Sequence, residues 1–116
     1  MTIRIVSDKI SQKDLKDLAE ETYKEMVKAV VDVQGKILAV GGELHADAEA
    51  LLLDKGSRQE DLWGINLYPE KPEAARIEYN SLINIRPRQG NSSLEVRDAG
   101  LRQKIKSIVD QRIHWE

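Results

Sequence analysis

Between Val27 and Val40 the chain alternates apolar and polar side chains on both sides of one short break. Val27, Ala29, Val31 and Val33 fall on one side of an extended segment, with Lys28, Val30 and Asp32 on the other. Gln34-Gly35 interrupts the run, and Lys36-Ile37-Leu38-Ala39-Val40 follows. Two β-rich runs separated by two residues ending in glycine predict an antiparallel hairpin. With Val33 paired to Lys36, Val31 faces Leu38 and Ala29 faces Val40. One face is then almost wholly aliphatic, and a one-residue slip would turn it to water. That face needs a cover, which the rest of the chain must supply.

Candidate covers are amphipathic helices. Ser11 can cap a helix whose apolar stripe is Leu15, Leu18, Ala19, Thr22 and Met26. A second short helix is expected over Asp47 to Asp54, with Ala48, Leu51 and Leu52 inward and Gly56 just past its end. Asp98 can cap a third, with Leu101, Ile105, Ile108 and Val109 as its stripe. Strands are expected at Ile3 to Val6, at Leu62 to Tyr68 with Trp63, Ile65 and Leu67 on one side, and at Arg76 to Arg86. In the last of these, Ile77, Tyr79, Ile83 and Ile85 share a side, with a bulge near Asn80-Ser81. Pro69 to Glu73 and Pro87 to Ser93 read as loops.

The order β-α-β-β-α-β-β-α predicts an α+β domain over residues 1–116. Its core is a four- to five-stranded, mainly antiparallel, twisted sheet with two to three helices packed chiefly on one face. The other face, carrying Lys28, Asp32, Asn66, Tyr68, Glu78, Asn80 and Asn84, is expected to be polar. It is either a solvated sheet face or a binding or homodimer surface. Asn66 and Asn84 stand out there, because asparagine is disfavoured in strands.

Composition narrows the function classes. The chain has 116 residues with no Cys, which excludes disulfides, thiolate metal sites and cysteine nucleophiles. It has no Phe and 4% aromatic residues, so the core is aliphatic and base-stacking platforms are scarce. With 18 Lys and Arg against 20 Asp and Glu there is no basic excess, and nucleic acid is not the expected partner. No apolar run nears the roughly 20 residues that span a bilayer, and the first residues lack the apolar core of a signal peptide. A cytoplasmic protein with no membrane association is the expectation.

Three segments hold the candidate site residues. In Gly41-Gly42-Glu43-Leu44-His45-Ala46-Asp47-Ala48-Glu49, a histidine lies among three carboxylates after a glycine pair. His45 is a candidate acid or base, with Asp47 or Glu43 as its orienting partner and Glu49 as a ligand contact. The same acids also suit the first turn of a helix, where they are stabilising without any ligand. Glu43, His45, Asp47 and Glu49 would align on a metal only in an extended segment, and no metal site is assigned. In Gln59-Glu60-Asp61-Leu62-Trp63-Gly64, Asp61 can meet a ligand or pair with Arg58 or a later arginine. In Ile83-Asn84-Ile85-Arg86-Pro87-Arg88, Arg86 and Arg88 can clamp an anion, with Asn84 and Asn66 as further contacts. An ordinary solvated loop explains the arginines equally well. No phosphate-binding loop, zinc-protease, esterase or calcium-loop motif is present, and the residues name no cofactor.

The segments Val30–Val33, Ala39–Glu49, Gln59–Gly64 and Ser81–Pro87 resemble a family of short prokaryotic proteins classed as a domain of unknown function. The resemblance covers nearly the whole chain and is most specific around His45. It implies a stand-alone domain and no particular activity. Two readings follow: a ligand-binding or protein-interaction module, or a small hydrolase or ribonuclease-like acid–base enzyme using His45, its neighbouring carboxylates and Arg86.

Overall fold

The computed structural model describes residues 2–116; Met1, the first residue of the expected domain, lies outside them. The elements are β1 (Ile3–Val6), β2 (Ile10–Ser11), α1 (Gln12–Glu20), β3 (Val27–Asp32), β4 (Ile37–Gly41), α2 (His45–Asp54), β5 (Leu62–Leu67), β6 (Ile77–Glu78), α3 (Ala99–Arg112) and β7 (Ile113–His114). Five strands form one antiparallel sheet in the order β1-β4-β3-β5-β6, and β2 and β7 form a small parallel pair.

The hairpin register is the expected one, with Ala29 opposite Val40 and Val31 opposite Leu38. Pairing stops one residue earlier, at Asp32 and Ile37. Asp32 is the cause: its Oδ1 accepts from the amides of Gln34 and Gly35 at 3.0 and 2.8 Å. This side-chain turn competes with the ladder. Val33 then donates its amide to the Asp61 carbonyl instead.

The face carrying Ala29, Val31, Leu38 and Val40 behaves as the alternation requires. Val27, Ala29, Val31, Leu38, Val40, Trp63, Ile65 and Leu67 bury against Leu15 and Leu18 of α1 and Ile105, Ile108 and Val109 of α3. Ser11 and Asp98 cap their helices by accepting from Asp14 and Leu101. Helix α1 ends at Glu20, short of the expected Thr22 and Met26, because Lys24 turns left-handed and returns its amide to the Ala19 carbonyl.

Two expectations need correction. First, the opposite sheet face, expected to be polar, is partly covered. Val30, Ala39 and Leu62 bury against Ala48 and Leu52, so α2 covers that face while α1 and α3 cover the other. Helix α2 starts at His45 rather than Asp47. A dimer through the sheet would therefore use an edge strand, β1 or β6, rather than a bare face.

Second, Arg76–Arg86 is not a long strand. Only Ile77 and Glu78 pair with β5; a short 3-10 turn forms at Leu82–Asn84 and another at Pro87–Gln89. Ile77 and Tyr79 join the α1–α3 core, Ile83 joins the α2 side and Ile85 is exposed, so they do not share a face. The cause is that side chains replace the backbone ladder. Asn84 is fully buried; its Oδ1 accepts from Gly64 N at 2.8 Å and its Nδ2 donates to Gly64 O at 2.9 Å. The carboxamide thus pairs with β5 as a strand residue would. Further along, Arg86 donates to the carbonyls of Leu62 and Gln59.

Candidate functional site

The first residue of α2 sits directly over the sheet. His45 is buried, and its Nε2–H donates to the Ile65 carbonyl at 2.7 Å. A carbonyl can only accept, so the neutral ring leaves Nδ1 as an acceptor. Burial is the main force on its titration, and the nearby Lys28 charge acts the same way. The Ile65 carbonyl and the Asn66 side chain pull in the opposite direction but lose, leaving the pKa at about 4, below its ordinary 6.5. The ring is neutral at pH 7.

The unfolded chain takes up this proton near pH 6.5 and the folded chain only near 4. The stability held in the neutral ring is complete above pH 6.5 and is lost as pH falls toward 4, by about 3 kcal/mol. Urea unfolding of the wild type and His45→Gln across that window should show the steeper acid loss only in the wild type. Parallel curves would contradict the assignment.

Next to His45, Asn66 of β5 is 8% exposed. Its Nδ2 donates to Glu78 Oε1 at 2.7 Å and to the Asn80 carbonyl at 3.3 Å. Both partners are acceptors, which fixes the orientation of the amide. Its Oδ1 is buried and makes no well-aligned hydrogen bond among the described residues, although the Asn66 side chain lies against the His45 ring. Such an atom costs roughly 1–3 kcal/mol, so its retention calls for an explanation.

Asn66, His45 and Ser81 lie in a groove of about 370 Å³, a size that suits a small ligand. Its walls include Lys28 and three leucines that expose large apolar area: Leu82 at 78%, Leu44 at 58% and Leu94 at 47%. Leu82 is held out by the 3-10 turn, which Ser81 Oγ caps by accepting from Ile83 N at 3.2 Å. The groove is therefore apolar at the rim, with the polar side chains of His45, Asn66 and Ser81 in its lining.

The remaining candidates are placed elsewhere. Glu43 and Asp47 are exposed, and among the described residues neither bonds to His45. Glu49 is half-buried one helical turn beyond His45, with an unpartnered Oε2; its charge favours the cationic form of Arg86. Arg86 stacks on Trp63 at 4.3 Å and spends its donors on the carbonyls of Ile83, Gln59 and Leu62 and on Gln89 Oε1. Burial lowers its pKa. Arg88 is exposed on the following turn. Asn84 is occupied by Gly64, Tyr79 and Leu94. Asp61 receives the Val33 amide on its backbone carbonyl, and Arg58 pairs with Glu60 rather than with Asp61.

His45 and Arg86 thus anchor on Ile65 and Leu62, about 10 Å apart along β5. The three sequence segments share a strand but do not converge on one point. Among the described residues, no three His, Asp or Glu side chains are grouped to hold a metal ion. Sequence reasoning singled out His45 and Asn66 but missed Leu44, Leu82 and Leu94. Their exposure depends on the turn at Ser81, which periodicity does not reveal.

An antiparallel sheet between α2 and the α1–α3 pair, with a small groove beside α2, defines an α+β protein. The chain belongs to the family described as a protein of unknown function (DUF5674), whose model matches residues 4–112. No curated protein and no solved structure matches it. No described helix is long and apolar enough to cross a membrane.

Proposed function

We propose that this is a ligand-binding domain and that the groove beside His45 takes a small, largely apolar molecule. The observation that carries the reading is a leucine-rimmed groove lined by the buried, polar His45 and Asn66 side chains. A concave apolar site with a few convergent polar groups and a shifted histidine is the usual form of a small-molecule site. Acid–base catalysis lacks support, since among the described residues no carboxylate bonds to His45, and Arg86 is committed to backbone carbonyls and to Gln89.

The test is a screen of small neutral compounds by amide chemical shifts. Hits should move the signals of Leu44, Ser81, Leu82 and Leu94. Because Leu82 is largely exposed, Leu82→Asp should fold normally while weakening those hits about tenfold, by removing apolar wall and adding charge. Hits that instead map to the Pro87–Gln89 turn, or that ignore Leu82→Asp, would count against the groove.

A further inference from the structure

Independently of the groove, we infer that the outer edge of β1 is a self-association surface, on which a second copy of this chain adds its own β1 antiparallel. The two five-stranded sheets then become one. β1 stands at the end of the sheet and pairs with β4 alone. Among the described residues, no hydrogen bond outside that ladder reaches the backbone of Ile3–Val6. An edge of this kind is a template for another strand. β1 carries none of the usual protections: it holds no Pro and no Lys, and its register with β4 runs unbroken from Ile3 to Val6. The opposite edge differs. β6 has two residues, and the chain just beyond it is closed by Leu94–Val96, through Ser81 N to Leu94 O and Val96 N to Tyr79 O.

The flanks of β1 specify the incoming strand. Toward α2, the half-buried Ile3 and Ile5 pack beside Val30, Ala39 and Leu52, so aliphatic residues fit on that side. Toward α1 the edge is acidic. Asp14 bonds Arg4 at 3.2 Å, Glu21 accepts from the Thr2 amide at 3.0 Å, and Asp17 lies between them on the same helical face. Lys13 offsets Asp17 alone, so a further basic residue fits there. The required pattern is aliphatic, basic, aliphatic, and β1 itself supplies it as Ile3, Arg4 and Ile5.

A two-fold axis normal to the sheet keeps the two α2 sides together and brings Arg4 of each copy toward Asp14 of the other. Arg4 directly opposite its own counterpart is disfavoured by like charge. That sets the axis at Ile5, with Arg4 facing Val6 of the second copy. A ladder of five residues spans about 17 Å, a small interface, so the dimer should form in the roughly 10–100 µM range.

The experiment is sedimentation velocity of the full chain across about 1–500 µM, which brackets that range. Monomer should pass to dimer and to nothing larger, because a two-fold contact closes on itself. Arg4→Asp should weaken association about tenfold or more. Arg4→Asp combined with Asp14→Arg restores opposite charges with the signs exchanged, and should return association to within about threefold of the wild type. Both side chains are about half exposed, at 46% and 47%, so the fold tolerates the changes. The chain has no Cys, so one introduced thiol reports the register. Ile5→Cys brings two Cα atoms to about 5 Å and should cross-link on mild oxidation, while Arg4→Cys should not. A chain that stays monomeric throughout, or a dimer indifferent to Arg4→Asp, would overturn the inference. A dimer that cross-links through Leu82→Cys and not Ile5→Cys would place self-association at the groove rim and overturn it as well.

Discussion

Asn84→Ala should cost about 3–5 kcal/mol of folding stability, the largest loss expected from any single polar substitution in this chain. Asn84 has no exposed surface. Its Nδ2 donates to the carbonyls of Gly64, Leu94 and Tyr79 at 2.9, 3.1 and 3.4 Å, and its Oδ1 accepts from Gly64 N at 2.8 Å. Truncation strands both backbone groups of Gly64 in the interior. It also leaves a hole where the amide stood and frees the segment from Tyr79 to Leu94. Asn84→Asp has nearly the same shape but replaces a donor with an acceptor facing three carbonyls, so it should do no better than Ala. Urea or thermal unfolding checks both; a loss under about 1 kcal/mol for Ala would show that the brace is dispensable.

Gly64→Ala should be nearly as damaging, at about 3 kcal/mol, the upper end for overpacking. A methyl group there would stand 2.5 Å from Ser81 Cβ, 2.6 Å from Ser81 Oγ and 3.1 Å from Ile83 Cγ1. Ser81 is buried and cannot swing away without losing its cap on Ile83 and shifting Asn84 off its Gly64 partner. The clash is with one named side chain, so it can be relieved. Ser81→Gly alone should cost about 1 kcal/mol through the lost cap. Combined with Gly64→Ala, it should recover at least about 1 kcal/mol relative to the sum of the two. Strict additivity would mean that the contact is not the source of the loss.

These two positions also mark where the sequence stops being legible. The hairpin register could be read because aliphatic alternation on one face has a single solution, and the α1 and α3 caps because Ser11 and Asp98 stand just before apolar stripes. The segment from Arg76 onward could not. Ile77, Tyr79, Ile83 and Ile85 keep a period of two apart from the break at Ser81, which a bulge would absorb. The chain leaves β5 because the side chains of Asn84 and Arg86 supply hydrogen bonds that a strand would have supplied from its backbone. Alternation carries no record of that substitution. Only the oddity of Asn in a strand-like run hinted at it.

The same limit applies to the sheet face under α2. Asp32, Asn66 and Asn84 are polar, so they read as solvent-facing, yet all three are buried. Asp32 accepts from its own turn and from Ser57 Oγ at 2.6 Å, and Asn84 from Gly64. Asn91 makes the same kind of bond, donating to the carbonyls of Asn84, Ser93 and Glu95. Buried polar side chains with partners on every side fix a loop in one conformation. Asn66 differs in that its Oδ1 makes no well-aligned hydrogen bond among the described residues, and that difference separates the proposed site from the scaffold.

The most direct measurement is therefore a comparison of the asparagine side-chain amide signals in one ¹⁵N-labelled sample as a neutral, largely apolar hit from the compound screen is added. The Asn66 signals should move in step with Leu82 and Leu94, while those of Asn84 and Asn91 stay in place. Movement at Asn84, or at the Arg86 and Arg88 side chains with Asn66 still, would put the ligand on the arginine turn and contradict the account.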